Sequence, residues 1–174
     1  KVFYKHILPI PKGMNFFEAA AIPENFFTVW YNLFERGKIK KNDTILIHGG
    51  SSGIGTAAIQ LCKVHGCKII TTVGNKKKQL YCKKLGADLA INYKKYDFFE
   101  KTKKYTKNAG VNIILDMVGQ EYFEKNISLL KDQGKLIMIA FLSGSLTTAD
   151  FTKVMTKRLV LTGSTLRPRT NKEK

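Results

Sequence analysis

Residues 44–55 read Thr-Ile-Leu-Ile-His-Gly-Gly-Ser-Ser-Gly-Ile-Gly, and this stretch decides the fold. An apolar run that stops at clustered glycines and continues as residues 56–62, Thr-Ala-Ala-Ile-Gln-Leu-Cys, is typical of a buried parallel strand, a tight turn and a helix. It predicts the first strand–helix unit of a dinucleotide-binding sheet, with the pyrophosphate at the helix start. Gly50, Gly53 and Gly55 have the spacing Gly-x-x-Gly-x-Gly rather than Gly-x-Gly-x-x-Gly, so a simple chain reversal is the alternative.

The segments after the glycine turn repeat the alternation of strand and helix. Further strands are predicted at 68–73, 87–92, 111–116, 135–140 and 159–163. Helices are predicted at 55–65, 76–84, 96–106, 120–130 and near 149–155. With a first strand at 44–48, this pattern predicts an α/β fold, a Rossmann-type, doubly wound, six-stranded parallel sheet in the order 3-2-1-4-5-6.

The chain has 174 residues, 44% of them hydrophobic, and is expected to form a single dinucleotide-binding domain. Residues 1–37 are predicted to be a lead-in and a linking helix, 43–166 the Rossmann core and 167–174 a polar tail. Because the first residue is Lys1 rather than Met, the sequence is expected to be an excised part of a longer protein.

Two helices are predicted in the lead-in. Asn15 is expected to cap a short helix at 16–20. The linking helix is predicted to begin at Pro23 and to end near Gly37. Its aromatic residues recur at helical spacing, which predicts that they pack in the core.

Thirty Lys and Arg residues against 13 Asp and Glu give a net charge of +17, which favours anionic partners. The lysines are spread along the whole chain, so a lysine-rich composition is the simpler interpretation, and no nucleic-acid partner is expected. Cys62, Cys67 and Cys82 have no metal-ligand spacing and are expected to be reduced, mostly structural thiols. No apolar run approaches the roughly 18 residues of a membrane span and no signal peptide is present, so we expect no membrane association and a cytoplasmic location.

The end of the second strand indicates which dinucleotide is bound. Folds that select NAD place an acidic residue there, about 20 residues past the glycine turn. Residues 72–78 read Thr-Val-Gly-Asn-Lys-Lys-Lys, and no acid occurs before Asp88. A solvated lysine run is the alternative, but cations in the first turn of a helix oppose its dipole by roughly 0.3–1 kcal/mol each, and a bound phosphate would offset that cost. The sequence therefore favours NADP over NAD.

Five motifs in order carry a family resemblance: residues 19–28, 48–55, 90–94, 115–119 and 165–167. They resemble the quinone oxidoreductases of the medium-chain dehydrogenase/reductase superfamily, nearest to the zeta-crystallin-like branch. The resemblance covers nearly the whole chain and implies the NADPH-binding domain of such an enzyme, without its N-terminal GroES-like catalytic domain. It implies no metal, because Glu24 stands where zinc-dependent relatives carry a Cys ligand, four residues before Thr28.

The resemblance also implies cofactor contacts, grouped by the part of the dinucleotide they face. The nicotinamide carboxamide is expected to face the hydroxyl of Thr28. The pyrophosphate turn is expected at Ser52, Gly53 and Ile54. The adenosine ribose and 2′-phosphate are expected near Gly74, Lys78 and Tyr93. The nicotinamide half is expected beside Met117, Val118, Phe141, Leu142, Ser143, Thr165 and Leu166.

Three of the polar residues have simpler interpretations. Thr28 can be an ordinary helix hydroxyl, and Tyr93 a surface residue. Asp116 ends a predicted strand and is interpreted as capping the next helix or ordering a loop rather than as a catalytic acid. No catalytic residue is therefore assigned.

The function implied for the full-length parent is a zinc-free NADPH-dependent quinone reductase, which passes a hydride to a quinone or related conjugated carbonyl. The isolated domain is expected to be inactive. An enal or enone double-bond reductase of the same superfamily is one alternative, and a NADPH-responsive binding module, for RNA, is another. A homodimer is expected through edge strand 159–163, which has neither Pro nor an internal charge and by which relatives dimerise.

Overall fold

The computed structural model describes residues 3–165 and 168–171. Within these residues, six parallel strands form one sheet in the order β3-β2-β1-β4-β5-β6, which confirms the predicted Rossmann-type topology. The strands β1 to β6 are Thr44–Ile47, Lys68–Val73, Leu89–Asn92, Val111–Asp116, Leu130–Met138 and Val160–Gly163.

Helices cover both faces of the sheet. In the part of the chain that the structure describes, helices α1 to α6 are Phe16–Ala20, Gly53–Val64, Lys76–Leu85, Phe98–Tyr105, Phe123–Leu129 and Thr152–Thr156. Short 3₁₀ turns lie at Tyr4–His6 and Gln120–Tyr122. None of the described helices is long and apolar enough to cross a membrane.

The core lies in two layers, one on each face of the sheet. In β1, Ile45 and Ile47 face the cluster that includes α2 and α3, whereas Leu46 faces the cluster that includes α4 and α5. All three side chains are fully buried, and each contributes roughly 1.5–3 kcal/mol of burial free energy. The glycine turn that follows β1 is therefore held on a rigid central strand.

The linking helix, residues 23–36, is wider than an α-helix. Its segments Pro23–Phe27 and Trp30–Arg36 are π-helical, and the N–H of Gly37 donates to the carbonyl of Asn32 at 2.8 Å, five residues back. The prediction that its aromatic residues pack in the core is wrong for Phe27 and Trp30, which are 47% and 50% exposed.

Strand β5, predicted at 135–140, is displaced at both ends and ends at Met138. Strand β5 begins at Leu130 rather than at 135, and its pairing with β4 shifts register between Val111 and Ile113. The early start is stabilised by Lys157, whose ammonium donates to the carbonyl of Leu130 at 2.8 Å and whose carbonyl accepts from Gln133 at 2.7 Å. The described part of the predicted polar tail, 168–171, contains neither helix nor strand.

Candidate cofactor site

The glycine turn presents backbone N–H groups at the start of α2. Ser52 caps this helix, because its hydroxyl accepts from the N–H of Gly55 at 3.0 Å. The N–H of Ser52 donates to the carbonyl of Gly49 at 2.9 Å, which closes the turn. Gly53 and Ile54 occupy the first helical positions, where a helix supplies no partner for the N–H groups. The turn therefore offers two donors and the positive end of the helix dipole to an anion.

Glycine is required in this turn for packing as well as for conformation. Gly49, which the sequence analysis did not single out, has φ +72°, in the left-handed region. A Cβ on Gly50 would collide with the hydroxyl of Thr71, and a Cβ on Gly55 would collide with the carbonyl of Gly49. A Cβ on Gly53 would lie 2.5 Å from the side-chain oxygen of Asn25 in the linking helix.

Next to the turn, His48 is buried in a polar cluster at the carboxyl end of β1. Its Nε2 lies 2.8 Å from Oδ1 of Asn126, and its Nδ1 lies 3.1 Å from Oγ1 of Thr72. With the amide oxygen of Asn126 toward the ring, Nε2 donates to it and Nδ1 accepts from Thr72. Oγ1 of Thr72 also accepts from the N–H of Gly49 at 3.3 Å. The imidazole thus ties the glycine turn to β2 and α5.

The surroundings of His48 keep it neutral. Burial lowers its pKa, and the opposing effects of the Asp116 charge and of the hydrogen bond with Asn126 are smaller. The ring packs edge-on against Phe98 and Tyr122, with centroid distances of 4.9 and 4.8 Å. Burial likewise raises the pKa of Tyr122 to about 12, so this phenol is neutral too.

The predicted adenosine residues lie at the carboxyl ends of β2 and β3. Gly74 has no side chain to fill the space between these strand ends. A Cβ at this position would be tightly placed, 3.3 Å from the hydroxyl of Tyr93 and 3.7 Å from Cε of Lys94. Lys78 lies in the first turn of α3, where its N–H donates to Oδ1 of the capping residue Asn75 at 2.9 Å. Lys94 was missed from the sequence, although it directly follows Tyr93 in the motif. Three of these side chains, those of Lys78, Tyr93 and Lys94, are exposed.

Five of the predicted nicotinamide residues lie on two loops, after β4 and β5, that hydrogen bonds hold together. The N–H of Leu142 donates to the carbonyl of Met117 at 3.1 Å, and the N–H of Ser143 donates to the carbonyl of Val118 at 2.8 Å. The hydroxyl of Ser143 donates to the same carbonyl of Val118 at 2.9 Å. The loops after β4 and β5 therefore form one platform at the edge of the sheet where the strands carry their carboxyl ends.

Asp116 orders this platform, as predicted. Its carboxylate is fully buried and accepts from the N–H groups of Val118 at 2.8 Å and Gly119 at 3.2 Å. Its backbone carbonyl accepts from the N–H of Ile139 at 2.8 Å, which joins the two loops once more.

Two cavities adjoin the platform. Thr28 and Thr165 line one of about 430 Å³, and Phe141 and Thr165 line another of about 760 Å³. Both are also lined by Tyr31, whose ring lies under the guanidinium of Arg169 at 3.8 Å. Leu166, the remaining predicted residue, lies outside the described residues.

Sequence reasoning missed several residues of these cavities. Tyr31 and Arg169 are far apart in the chain and belong to no motif, so no sequence signal pairs them. Asn32 follows Tyr31 on the linking helix and is buried, and its sequence signal is a polar residue within an apolar helical stripe.

A zinc site would need a cluster of His, Cys, Asp or Glu side chains. Across residues 3–165 and 168–171, no group of three or more His, Cys, Asp and Glu side chains is placed to hold a metal ion. The described residues therefore do not fit a zinc centre.

A sequence model of the zinc-binding dehydrogenase family matches residues 53–173, and the chain belongs to this family. The predicted resemblance to quinone oxidoreductases of the medium-chain dehydrogenase/reductase superfamily is confirmed. Mouse quinone oxidoreductase is 31% identical over 97 residues, which cover 56% of this chain and 29% of the relative. Pongo abelii quinone oxidoreductase is 30% identical over 98 residues, which cover 56% of this chain and 30% of the relative.

The fold is also that of solved oxidoreductase structures. Escherichia coli quinone oxidoreductase in complex with NADPH superimposes with a TM-score of 0.82 and 30% identity, covering 90% of this chain and 48% of that chain. The enoyl reductase CurK superimposes with a TM-score of 0.78 and 30% identity, covering 90% of this chain and 46% of that chain. The chain thus spans about half the length of these structures.

Proposed function

We propose that this chain is the NADPH-binding domain of an oxidoreductase that passes a hydride from NADPH to a quinone or a related conjugated carbonyl. One observation carries the choice of cofactor, namely the charge at the carboxyl end of β2. Lys76, Lys77 and Lys78 form the first turn of α3 without an acidic residue, and Lys94 stands beside Gly74. A 2′-phosphate would meet ammonium groups there, whereas the ribose hydroxyls of NAD would find no carboxylate acceptor.

The other parts of the cofactor match the remaining groups of residues. The N–H groups of Gly53 and Ile54 would hold the pyrophosphate at the start of α2. Thr28 would orient the nicotinamide carboxamide, with Met117 and Val118 beside the ring. The bound cofactor supplies the hydride, and the protein supplies position and charge.

The electron acceptor is inferred from the relatives. Mouse and Escherichia coli relatives are named quinone oxidoreductases, and each is about 30% identical to this chain over the matched part. In the proposed parent, an N-terminal catalytic domain completes the acceptor pocket against the cavities near Thr28. We therefore expect the isolated chain to bind NADPH but not to turn over a quinone. Rates of NADPH oxidation in the presence of a quinone, measured for this chain and for the full-length parent, test this expectation. Equal turnover by both would contradict this division of the site.

The choice of cofactor is tested by calorimetric titration of NADPH and NADH. The wild type should bind NADPH more tightly, by about tenfold or more for a single lysine–phosphate pair. Lys78→Glu and Lys94→Glu should each reduce this preference. Lys84→Glu is the matched control, because it makes the same charge change in the last turn of the same helix. The proposal would be contradicted if the wild type bound NADPH and NADH equally well. It would also be contradicted if Lys84→Glu reduced the preference for NADPH as much as the other two variants.

A second acceptor is favoured by a specific observation. The enoyl reductase CurK is 30% identical, and a highly-reducing polyketide synthase of Aureobasidium melanogenum is 40% identical over 81 residues, which cover 46% of this chain and 4% of the synthase. The candidate function is reduction of an enal or enone with the same cofactor. Rates of NADPH oxidation by the full-length protein with a simple quinone and with an enone distinguish the two.

A further inference from the structure

The end of α2 brings two cysteines together. Gly66 has φ +82°, and its N–H donates to the carbonyl of Lys63 at 3.1 Å. The N–H of Cys67 donates to the carbonyl of Cys62 at 3.0 Å. These two bonds define the Schellman motif, in which the side chains at the first and last positions commonly touch. In this chain, those positions are Cys62 and Cys67.

The side chains of Cys62 and Cys67 meet in the same core cluster, where Cys62 is fully buried and Cys67 is 5% exposed. The Cys67 thiol donates to the carbonyl of Lys40 at 3.6 Å, and the neighbouring thiol of Cys62 lowers the pKa of Cys67, whereas the interaction with Cys67 and burial raise the pKa of Cys62. Standard covalent lengths added to the backbone bond place the two Cα atoms no more than about 7 Å apart. Disulfides span Cα separations of about 4.4–6.8 Å.

We propose that Cys62 and Cys67 are a redox modification site, which closes to an intramolecular disulfide with a hydroperoxide as the oxidant. The thiolate of Cys67 attacks hydrogen peroxide, so that an S–O bond forms, the O–O bond breaks and the leaving hydroxide takes up the proton that Cys67 released and departs as water. The sulfur of Cys62 then attacks the sulfenic acid of Cys67. The S–S bond forms, the S–O bond breaks, and the hydroxyl leaves as a second water with the proton of Cys62. Two thiols and one hydrogen peroxide thus give one disulfide and two waters.

The third cysteine provides an internal comparison. Helix α3 ends in the same pattern, with Gly86 at φ +118° and the N–H of Ala87 donating to the carbonyl of Cys82 at 3.0 Å. Here the last position is Ala87, so Cys82 has no second thiol in its own motif. The same backbone geometry therefore occurs once with a thiol pair and once with a single thiol.

The experiment treats the native chain with hydrogen peroxide, alkylates the remaining thiols and maps the peptides by mass spectrometry. Two of the three thiols should no longer react with the alkylating agent. The mass of the chain before alkylation should fall by that of two hydrogen atoms. Cleavage after Lys63 should release two peptides joined through Cys62 and Cys67, while Cys82 is alkylated. Dithiothreitol should restore all three thiols. Cys82→Ala should leave the bond intact, and Cys67→Ala, which copies the α3 motif, should abolish it.

Two results of the peptide mapping would overturn the proposal. One is a 62–67 bond that forms in urea but not in the native protein. The other is oxidation in which Cys82 joins the bond or in which only single thiols are oxidised. A second measurement needs no variant, namely the urea midpoint of the oxidised and reduced wild type. The oxidised form should unfold at the higher urea concentration, and a lower midpoint would show that the bond strains the native turn and refute the proposal.

Discussion

The side-chain oxygen of Asn32 accepts a hydrogen bond from the hydroxyl of Ser164 at 2.9 Å. The amide nitrogen of the same side chain donates to the carbonyl of Thr28 at 2.9 Å. Asn32 is 1% exposed, so water does not replace either partner. This buried side chain fixes the linking helix, at the turn that carries Thr28, to the residue that follows β6.

We expect Asn32→Ala to lower the free energy of unfolding by about 1–3 kcal/mol, because it leaves buried polar groups without a partner. Ser164→Ala removes one bond of the pair and should cost about 0.5–1.5 kcal/mol. Urea denaturation measures both, with the exposed Ser145→Ala as the control. If Asn32→Ala behaved like Ser145→Ala, the bridge would contribute nothing to stability.

A second prediction concerns Gly49. Gly49→Ala should lower the free energy of unfolding by roughly 1–3 kcal/mol, because φ is +72° and the added Cβ would collide with the sulfur of Met117. Gly13→Ala is the matched control, since Gly13 has φ +89° but no atom within 4 Å of the added Cβ. The difference between the two variants isolates the packing of the turn. Equal losses in urea denaturation would show that backbone conformation alone makes Gly49 necessary.

A third prediction follows from the lowered pKa of His48. The unfolded chain binds a proton at this residue near its ordinary pKa of about 6.5, whereas the folded chain does so only at lower pH. Stability is therefore complete above about pH 6.5 and decreases as the pH falls below it, by at most about 1.4 kcal/mol per pH unit, until the folded pKa is reached. Urea denaturation from pH 7 to 5 should show this slope in the wild type and lose it in His48→Gln.

The control for the pH experiment is His65→Gln, which removes a histidine outside the His48 cluster. This variant should keep the slope of the wild type. A wild type whose stability is flat over this range, or a His48→Gln variant with an unchanged slope, would contradict the interpretation of His48 as a buried neutral base.

The sequence predicted those elements whose signals are local. Asn15 caps α1 in a capping box with Glu18, because both partners lie within one turn. The strand order followed from the repeated crossovers, and it brought the carboxyl ends of all strands to one edge of the sheet. Most predicted cofactor residues lie at that edge for the same reason.

What the sequence did not predict depends on contacts between distant residues. The start of β5 depends on Lys157, which follows it by more than twenty residues and holds its backbone. Helical periodicity indicates which residues share a face of the linking helix. It does not indicate whether another element covers that face, so it could not predict the exposure of Phe27 and Trp30. The stack of Arg169 on Tyr31 has no counterpart in any local pattern.

The last prediction is a homodimer through β6. In the described part of the sheet, β6 pairs with β5 alone, and Val160 is 45% exposed on it. An edge strand leaves a row of N–H and C=O groups open to another chain, and a two-fold axis beside it would pair β6 antiparallel with its own copy. Light scattering should therefore report a dimer for the wild type.

Two variants of β6 should break this dimer for different reasons. Leu161→Pro removes a strand N–H, and Val160→Lys places like charges close together across the two-fold axis. Leu146→Pro is the control, because it introduces the same residue at an exposed position outside the strands and helices. Monomers from both β6 variants, with a dimer kept in the control, are the expected outcome. A monomeric wild type would contradict the predicted dimer directly. A dimer that tolerates both substitutions would place β6 outside the interface, because neither a missing donor nor a buried like-charge pair is compatible with continuous strand pairing.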